Sequence, residues 1–361
     1  MSYWRGAALA AAIAALLGAS GCQAARQVQG ERQEQNEATV LTMATAAGPE
    51  SRAARQIQEF ALQVTTLSAG AIHIEPVVQA AAEEASAWNQ AVAQSTEGGD
   101  FDIALIPTPT WESEGVTSFN ALSAPFLITS DEVVSQVVAP DTADGMLDGL
   151  RQIGLTGLAL LPDAQRRLFS FAGPVLTPAD LAGKVVRAPR SATRYAALSS
   201  LGATPRALTG DLFAEALAGG AVQAAESSFA RAASFPPGTI TTGNLPLYPK
   251  INTLVINTAT FGRLSANERR IVQEAASRIR EAATKAMNTA DEAMAYCQKG
   301  GTIVNATEQQ VAAFLAAVGP VYARLSNDAR AMAVIKKIRT FSGAFAPKPL
   351  AACGPERVAS H

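Results

Sequence analysis

Across 361 residues, 29 Lys and Arg stand against 31 Asp and Glu, and aromatic residues make up only 6%. Charges that nearly cancel, with no basic stripe and no interleaved aromatics, exclude a nucleic-acid surface. With three cysteines and two histidines in the whole chain, no ligand cluster for a structural or catalytic metal is present, and neither a metal nor another cofactor is expected.

The chain opens with Arg5 and then a small, apolar run from Gly6 to Gly21, the pattern of a secretory signal. The run is too short and too alanine-rich for a permanent membrane span. Its end, Leu16-Leu17-Gly18-Ala19-Ser20-Gly21-Cys22, resembles the bacterial lipoprotein cleavage box, although Ala19 stands where leucine is usual. The expectation is an extracytoplasmic protein, in a periplasm or on the outer face of the cytoplasmic membrane, anchored through lipid on Cys22. Residues 23–38 are rich in Gln, Glu and Arg without apolar periodicity and predict a flexible tether.

The remaining chain, roughly 320 residues, exceeds one ordinary domain and predicts two lobes. Thr39–Thr45 predicts a strand and Ser51–Leu67 an amphipathic helix, with Ala54, Ile57, Ala61 and Val64 on one face. Ala71–Val78 predicts a strand, Ala80–Ser95 a helix, and Phe101–Ile106 a short strand for a sheet interior. An irregular stretch, Trp111–Phe126, precedes helices near Asp131–Val138 and Ala143–Ile153 and a strand at Leu155–Leu161. Thr177-Pro178-Ala179-Asp180 reads as a helix start. Lys184–Ala188 reads as a strand stopped by Pro189, and Ser191–Leu201 as a helix ended by Gly202. A helix over Leu212–Ala218 and strands at Ala221–Ala225 and Thr253–Thr258 follow. Ser265-Ala266-Asn267-Glu268 is a capping box opening one long helix to Tyr296, and Thr307 opens another towards Arg324. From Ala344 the chain is aperiodic and predicts a disordered tail over 344–361.

This alternation predicts an α/β fold of two lobes with largely parallel sheets and a ligand cleft between them. The expected division places one lobe over about 39–160 plus 250–265 and the other over about 161–249 plus 300–340. The helix over about 266–296 would brace both. Once Cys22 is set aside, Cys297 and Cys353 admit a disulfide in an oxidising compartment; the other reading is a buried Cys297 and a free Cys353.

Between Arg167 and Ser227 the sequence becomes specific. It carries Pro174, Thr177-Pro178-x-Asp180-Leu181-x-Gly183-Lys184, Arg187-x-Pro189, Leu201-Gly202-Ala203-Thr204-Pro205 and Ala216-Leu217-x-x-Gly220-x-Val222. In this order and spacing the segment resembles the DctP-like solute-binding proteins of TRAP (tripartite ATP-independent periplasmic) transporters. Looser matches extend the resemblance over about Thr39 to Arg339. It implies a two-lobed periplasmic-binding-protein-like fold that closes on a small organic acid and delivers it to a TRAP-type membrane permease.

The resemblance also implies site residues. Arg187 matches the arginine that pairs with a substrate carboxylate, and it independently sits at the end of a short strand, where a guanidinium fork suits a carboxylate. Arg167, preferred to its neighbour Arg166, matches a second pocket arginine. Arg190 would add positive charge or approach the following helix. Ser227 falls where the family places a ligand-contacting asparagine, and Gln223-Ala224 replaces the usual Asp-Gly, which departs from the sites for simple dicarboxylates and sugar acids. Trp111 reads as an apolar wall of the pocket or as a core anchor, and Phe126 likewise. The competing class is a secreted hydrolase, but the chain has no Gly-x-Ser-x-Gly elbow, no His-Glu-x-x-His and one internal histidine, His73. A ligand-sensing accessory lipoprotein would need the same closing cleft as a transport receptor.

Overall fold

The computed structural model describes residues 38–79, 88–208, 210–342 and 349–354. The signal, the tether, Cys22 and the first part of the Ala80–Ser95 helix lie outside the described residues, as does most of the tail. Ten strands form one continuous sheet: β1 (Thr39–Thr45), β2 (Ile72–Val78), β3 (Ile103–Pro107), β4 (Leu155–Ser170), β5 (Val185–Arg187), β6 (Thr204–Arg206), β7 (Ala224–Ser227), β8 (Ile240–Thr242), β9 (Tyr248–Asn257) and β10 (Thr302–Val304). Their order is β2-β1-β3-β9-β4-β7-β5-β6, with β8 joining β4 to β10.

The outer pairs, β1 with β2 and β3 and β5 with β6 and β7, are parallel. The spine is antiparallel: β3 with β9, β9 with β4, and β4 with β7. Only part of the expected parallel arrangement is therefore present. β4 runs through sixteen residues and serves both halves, whereas periodicity marked only Leu155–Leu161. The interruption was Pro162-Asp163, where the register with β9 shifts between Pro162 and Ala164. A bulge is where a strand tolerates proline. β9 likewise begins before Thr253, with Pro249 opposite Gln165.

Local signals set most helix starts. Ser51 caps Arg52–Leu67, Ser130 caps Asp131–Val138 and Ser191 caps Ala192–Ser200, each hydroxyl accepting from the third residue on. The helix predicted to run unbroken from Ala266 is instead two, Ala266–Lys285 and Thr289–Gln298. Asn288 leaves helical backbone and its side chain accepts from the Asp291 amide, so an N-cap interrupts the periodicity. Each piece serves one half. Ile271, Val272, Ala275 and Ile279 pack with Ile57, Phe60 and the β1–β3 side chains, whereas Ala293 and Tyr296 pack with Phe169, Phe229 and Ile303. The bracing role expected of one helix is thus divided, and a salt bridge from Arg52 to Glu292 ties the second piece to the Arg52–Leu67 helix, against which the first piece packs.

Helices Glu308–Ala317, Gly319–Leu325 and Ala329–Ser342 close the described body. Gly319–Leu325 lies against Ala192–Ser200, while Ala329–Ser342 lies against Asp131–Val138, so residues 300–340 do not belong to one half alone, contrary to the expected division. The tail also differs from expectation. Within 349–354, Cys353 exchanges backbone hydrogen bonds with Ile303, Leu350 accepts from the Asn305 amide at 2.8 Å, and Cys353 is disulfide-bonded to Cys297.

That bond closes a loop over a sequence separation of 56. Replacing both Cys297 and Cys353 by serine is expected to lower the unfolding free energy by about 2–4 kcal/mol, read as a reduced midpoint in urea. An unchanged midpoint, or one equally sensitive to reductant in the variant, would contradict this.

Candidate ligand-binding site

A cleft of about 530 Å³ lies at the carboxyl ends of the parallel strands, lined by Thr45 at the end of β1, Pro107 at the end of β3, Arg187 at the end of β5 and Ser227 at the end of β7. This is where the chain turns of an open α/β sheet leave side chains and backbone free for a ligand. The side of the cleft built from β1 and β3 is neutral, with Thr45, Asn89, Gln90, Thr110 and Ser113. The opposite side carries Arg166, Arg187, Arg190, Arg194 and Arg231, and Lys250 lies on the β9 spine. Among the described residues no carboxylate lines this cleft.

Behind that wall lies Glu226, fully buried. It receives Arg166 in a two-point pair, Nε to Oε1 at 2.6 Å and Nη2 to Oε2 at 3.1 Å. Its backbone carbonyl accepts from Arg187 Nη1 at 3.4 Å, and Arg194 Nη1 stands 4.0 Å from Oε1. Burial alone would raise the Glu226 carboxyl; the charges of Arg166, Arg194 and Arg187 outweigh it and hold it below its ordinary value. Glu226 therefore stays charged and draws three guanidinium groups to one edge of the cleft.

Arg187 is half-buried, with Nε donating to the Leu208 carbonyl at 2.7 Å and its guanidinium 5.7 Å from the Phe213 ring centroid. Burial lowers its pKa, and the positive charges of Arg166 and Arg231 push the same way against Glu226. Arg187 is thus a cation whose surroundings carry more positive than negative charge. Arg190 is exposed at the rim and Ser227 is buried on the lining.

Two of the site residues read from the sequence lie elsewhere. Arg167 is 3% exposed, bonds the Gly243 carbonyl at 3.1 Å and lies 4.9 Å over the Phe229 ring. Burial lowers its pKa to about 10. Successive residues of a strand face opposite ways, so Arg166 and Arg167 cannot both reach the cleft, and the one that does is Arg166. Trp111 is a core anchor: fully buried, it donates its indole N–H to Thr253 at 2.8 Å. Phe126 packs edge-on against Phe314 at 6.0 Å, away from the cleft.

Glu226, Arg194, Arg231, Lys250 and Phe213 were not singled out from the sequence. A signal for Glu226 was available, since a lone acid directly after the strand-like run Ala221–Ala225 must be paired if the strand is buried.

Residues 43–328 match the DctP family, described as bacterial extracellular solute-binding protein, family 7. The chain belongs to this family. It is accordingly a solute-binding protein and not an enzyme. No curated protein matches it in sequence. Its fold is that of two-lobed TRAP periplasmic solute-binding proteins. The Anaerococcus prevotii protein with bound D-glucuronate aligns at TM-score 0.73 and 16% identity over 85% of this chain and 99% of that one. The Bordetella pertussis receptor DctP7, which binds pyroglutamic acid, aligns at 0.73 and 20% over 84% and 100%, and the Advenella mimigardefordensis sugar-acid-binding protein with galactonate at 0.72 and 16% over 84% and 99%.

Replacing Glu226 by Gln leaves Arg166 buried without its counter-charge and is expected to cost about 3–5 kcal/mol. A carboxyl held low stabilises the fold above its unfolded pKa, ordinarily near 4.5, and that contribution is lost as pH falls through the folded value. Wild-type stability should therefore drop below about pH 4.5 more steeply than that of Glu226→Gln, measured by urea unfolding between pH 7 and pH 3; parallel curves would refute the assignment.

Proposed function

We propose that this protein captures a small organic acid in the cleft, with the carboxylate against Arg187, and passes it to a TRAP-type membrane permease. One observation carries this reading: the cleft presents a concentration of guanidinium groups and, among the described residues, no lining carboxylate. Glu226 offsets one charge at most, so a ligand anion supplies the missing partner. Arg187 suits it best, because its Nε is already fixed on Leu208 and a second edge of the fork is left for a planar acceptor. The neutral amides and hydroxyls of the facing side suit the body of the acid. Proteins of the same fold were solved with glucuronate and galactonate, and another binds pyroglutamic acid, which supports the class without naming the cargo.

In this reading the half built on β1–β3 closes on the half built on β5–β7, bending β4 and β9 near the register shift at Pro162 and Ala164. The lipid anchor on Cys22 belongs to the same proposal and would hold the receptor beside its permease.

The test is calorimetry with D-glucuronate, D-galacturonate, galactonate and pyroglutamate, against neutral galactose. At least one acid should bind while galactose does not, and Arg187→Lys should fold normally yet bind that acid at least about tenfold more weakly, or ~1.4 kcal/mol. Equal binding of galactose, or unchanged affinity in Arg187→Lys, would overturn the proposal.

A further inference from the structure

Among the described residues seven helical segments begin with a Ser or Thr cap, and in three of them an acid or amide from the same turn completes a capping box: Thr177 with Asp180, Ser265 with Glu268, and Thr307 with Gln310. The helix Ala192–Ser200 is different. Ser191 caps it and accepts from the Arg194 amide at 3.2 Å, but the third position is Arg194 itself, which cannot serve as the acceptor. The acid comes from elsewhere in the chain. Glu112 Oε2 accepts from Ser191 Oγ at 2.8 Å, and Glu112 Oε1 accepts from Thr193 Oγ1 at 2.8 Å and from the Thr193 amide at 3.2 Å.

This contact joins the two halves. Glu112 ends the short turn Thr108–Glu112, which directly follows β3, whereas Ala192–Ser200 directly follows β5 and Pro189. Both ends are firm. Trp111, next to Glu112, is fully buried and bonded to Thr253 of β9, so the turn is pinned to the spine. On the other side, Arg194 is 3% exposed and lies 4.2 Å over the Tyr248 ring, beside Glu226. The Glu112 carboxylate thus meets the positive end of a helix dipole and two hydroxyls, through charge-assisted hydrogen bonds that exceed neutral ones.

We propose that Glu112 is a latch between the lobes: by capping the Ala192–Ser200 helix in trans it favours the closed arrangement and holds Arg194 against the cleft. The latch is made of the chain's own atoms, so it acts on the open–closed balance before any ligand contact, and a receptor with a larger closed fraction loses less affinity to closure. The inference does not depend on which solute the cleft takes.

The experiment is small-angle X-ray scattering of the protein without added ligand, together with amide hydrogen exchange at Thr193, on wild type, Glu112→Gln and Glu112→Ala. Both variants should show a larger radius of gyration, with the closed-to-open ratio reduced by about tenfold, and the Thr193 amide should exchange faster. Thr193→Val removes one donor and leaves the carboxylate in place; it should give a smaller shift of the same sign, and it carries the test should the Glu112 variants fail to fold. Scattering indistinguishable from wild type in the folded variants would overturn the latch, as would faster Thr193 exchange without any change in dimensions, which marks a local cap only.

Discussion

The buried pair of Arg166 and Glu226 is the interaction on which the site depends. Its two residues sit on neighbouring antiparallel strands, β4 and β7, one of which spans both halves and the other of which carries the cleft edge. A fully buried carboxylate is costly to desolvate unless it is paired and hydrogen-bonded. Glu226 meets that requirement with Arg166 by a two-point fork and with Arg194 nearby. The consequence reaches beyond stability. Because one carboxylate is shared among several guanidinium groups, positive charge is left over, and it faces the cleft. A site with one acid for each arginine would be neutral and would have no use for an anionic ligand.

Much of this was legible in the sequence where the signal is local. The caps read at Thr177, Ser265 and Thr307 each mark a helical segment that forms, because the hydroxyl and the amide it satisfies lie within one turn. The family match over residues 43–328 follows the Arg167–Ser227 signature. The failures have a common cause in distance along the chain. Arg166 and Arg167 differ only in strand parity, and parity is fixed by the register with Tyr248 and Ser227, about 60–80 residues away. Trp111 could serve as wall or anchor, and Thr253 decides in favour of the anchor. The tail lacks periodicity of its own, yet the Cys297 bond and the edge of β10 hold 349–354 in place. Local composition carries no record of such partners.

The opposite face of β4 shows how one strand can serve as both spine and hinge. Asp163, Gln165 and Arg167 are nearly inaccessible to solvent and do not line the cleft. Asp163 is paired with Lys250 at 2.6 Å and its carbonyl is held by Arg52, but both amide atoms of Gln165 and Nη1 of Arg167 have no partner among the described residues. Glu292, although paired with Arg52, has a raised pKa because burial outweighs that pairing, and Asp163 and Asp131 add to the rise. This seam is therefore polar and incompletely matched by the protein, whereas the cores on either side are close-packed and apolar. A polar seam of this kind exchanges hydrogen-bond partners at lower cost than a packed core can shift. With the register shift at Pro162 and Ala164 on the same strand, the proposed closure of the lobes would concentrate its bending there.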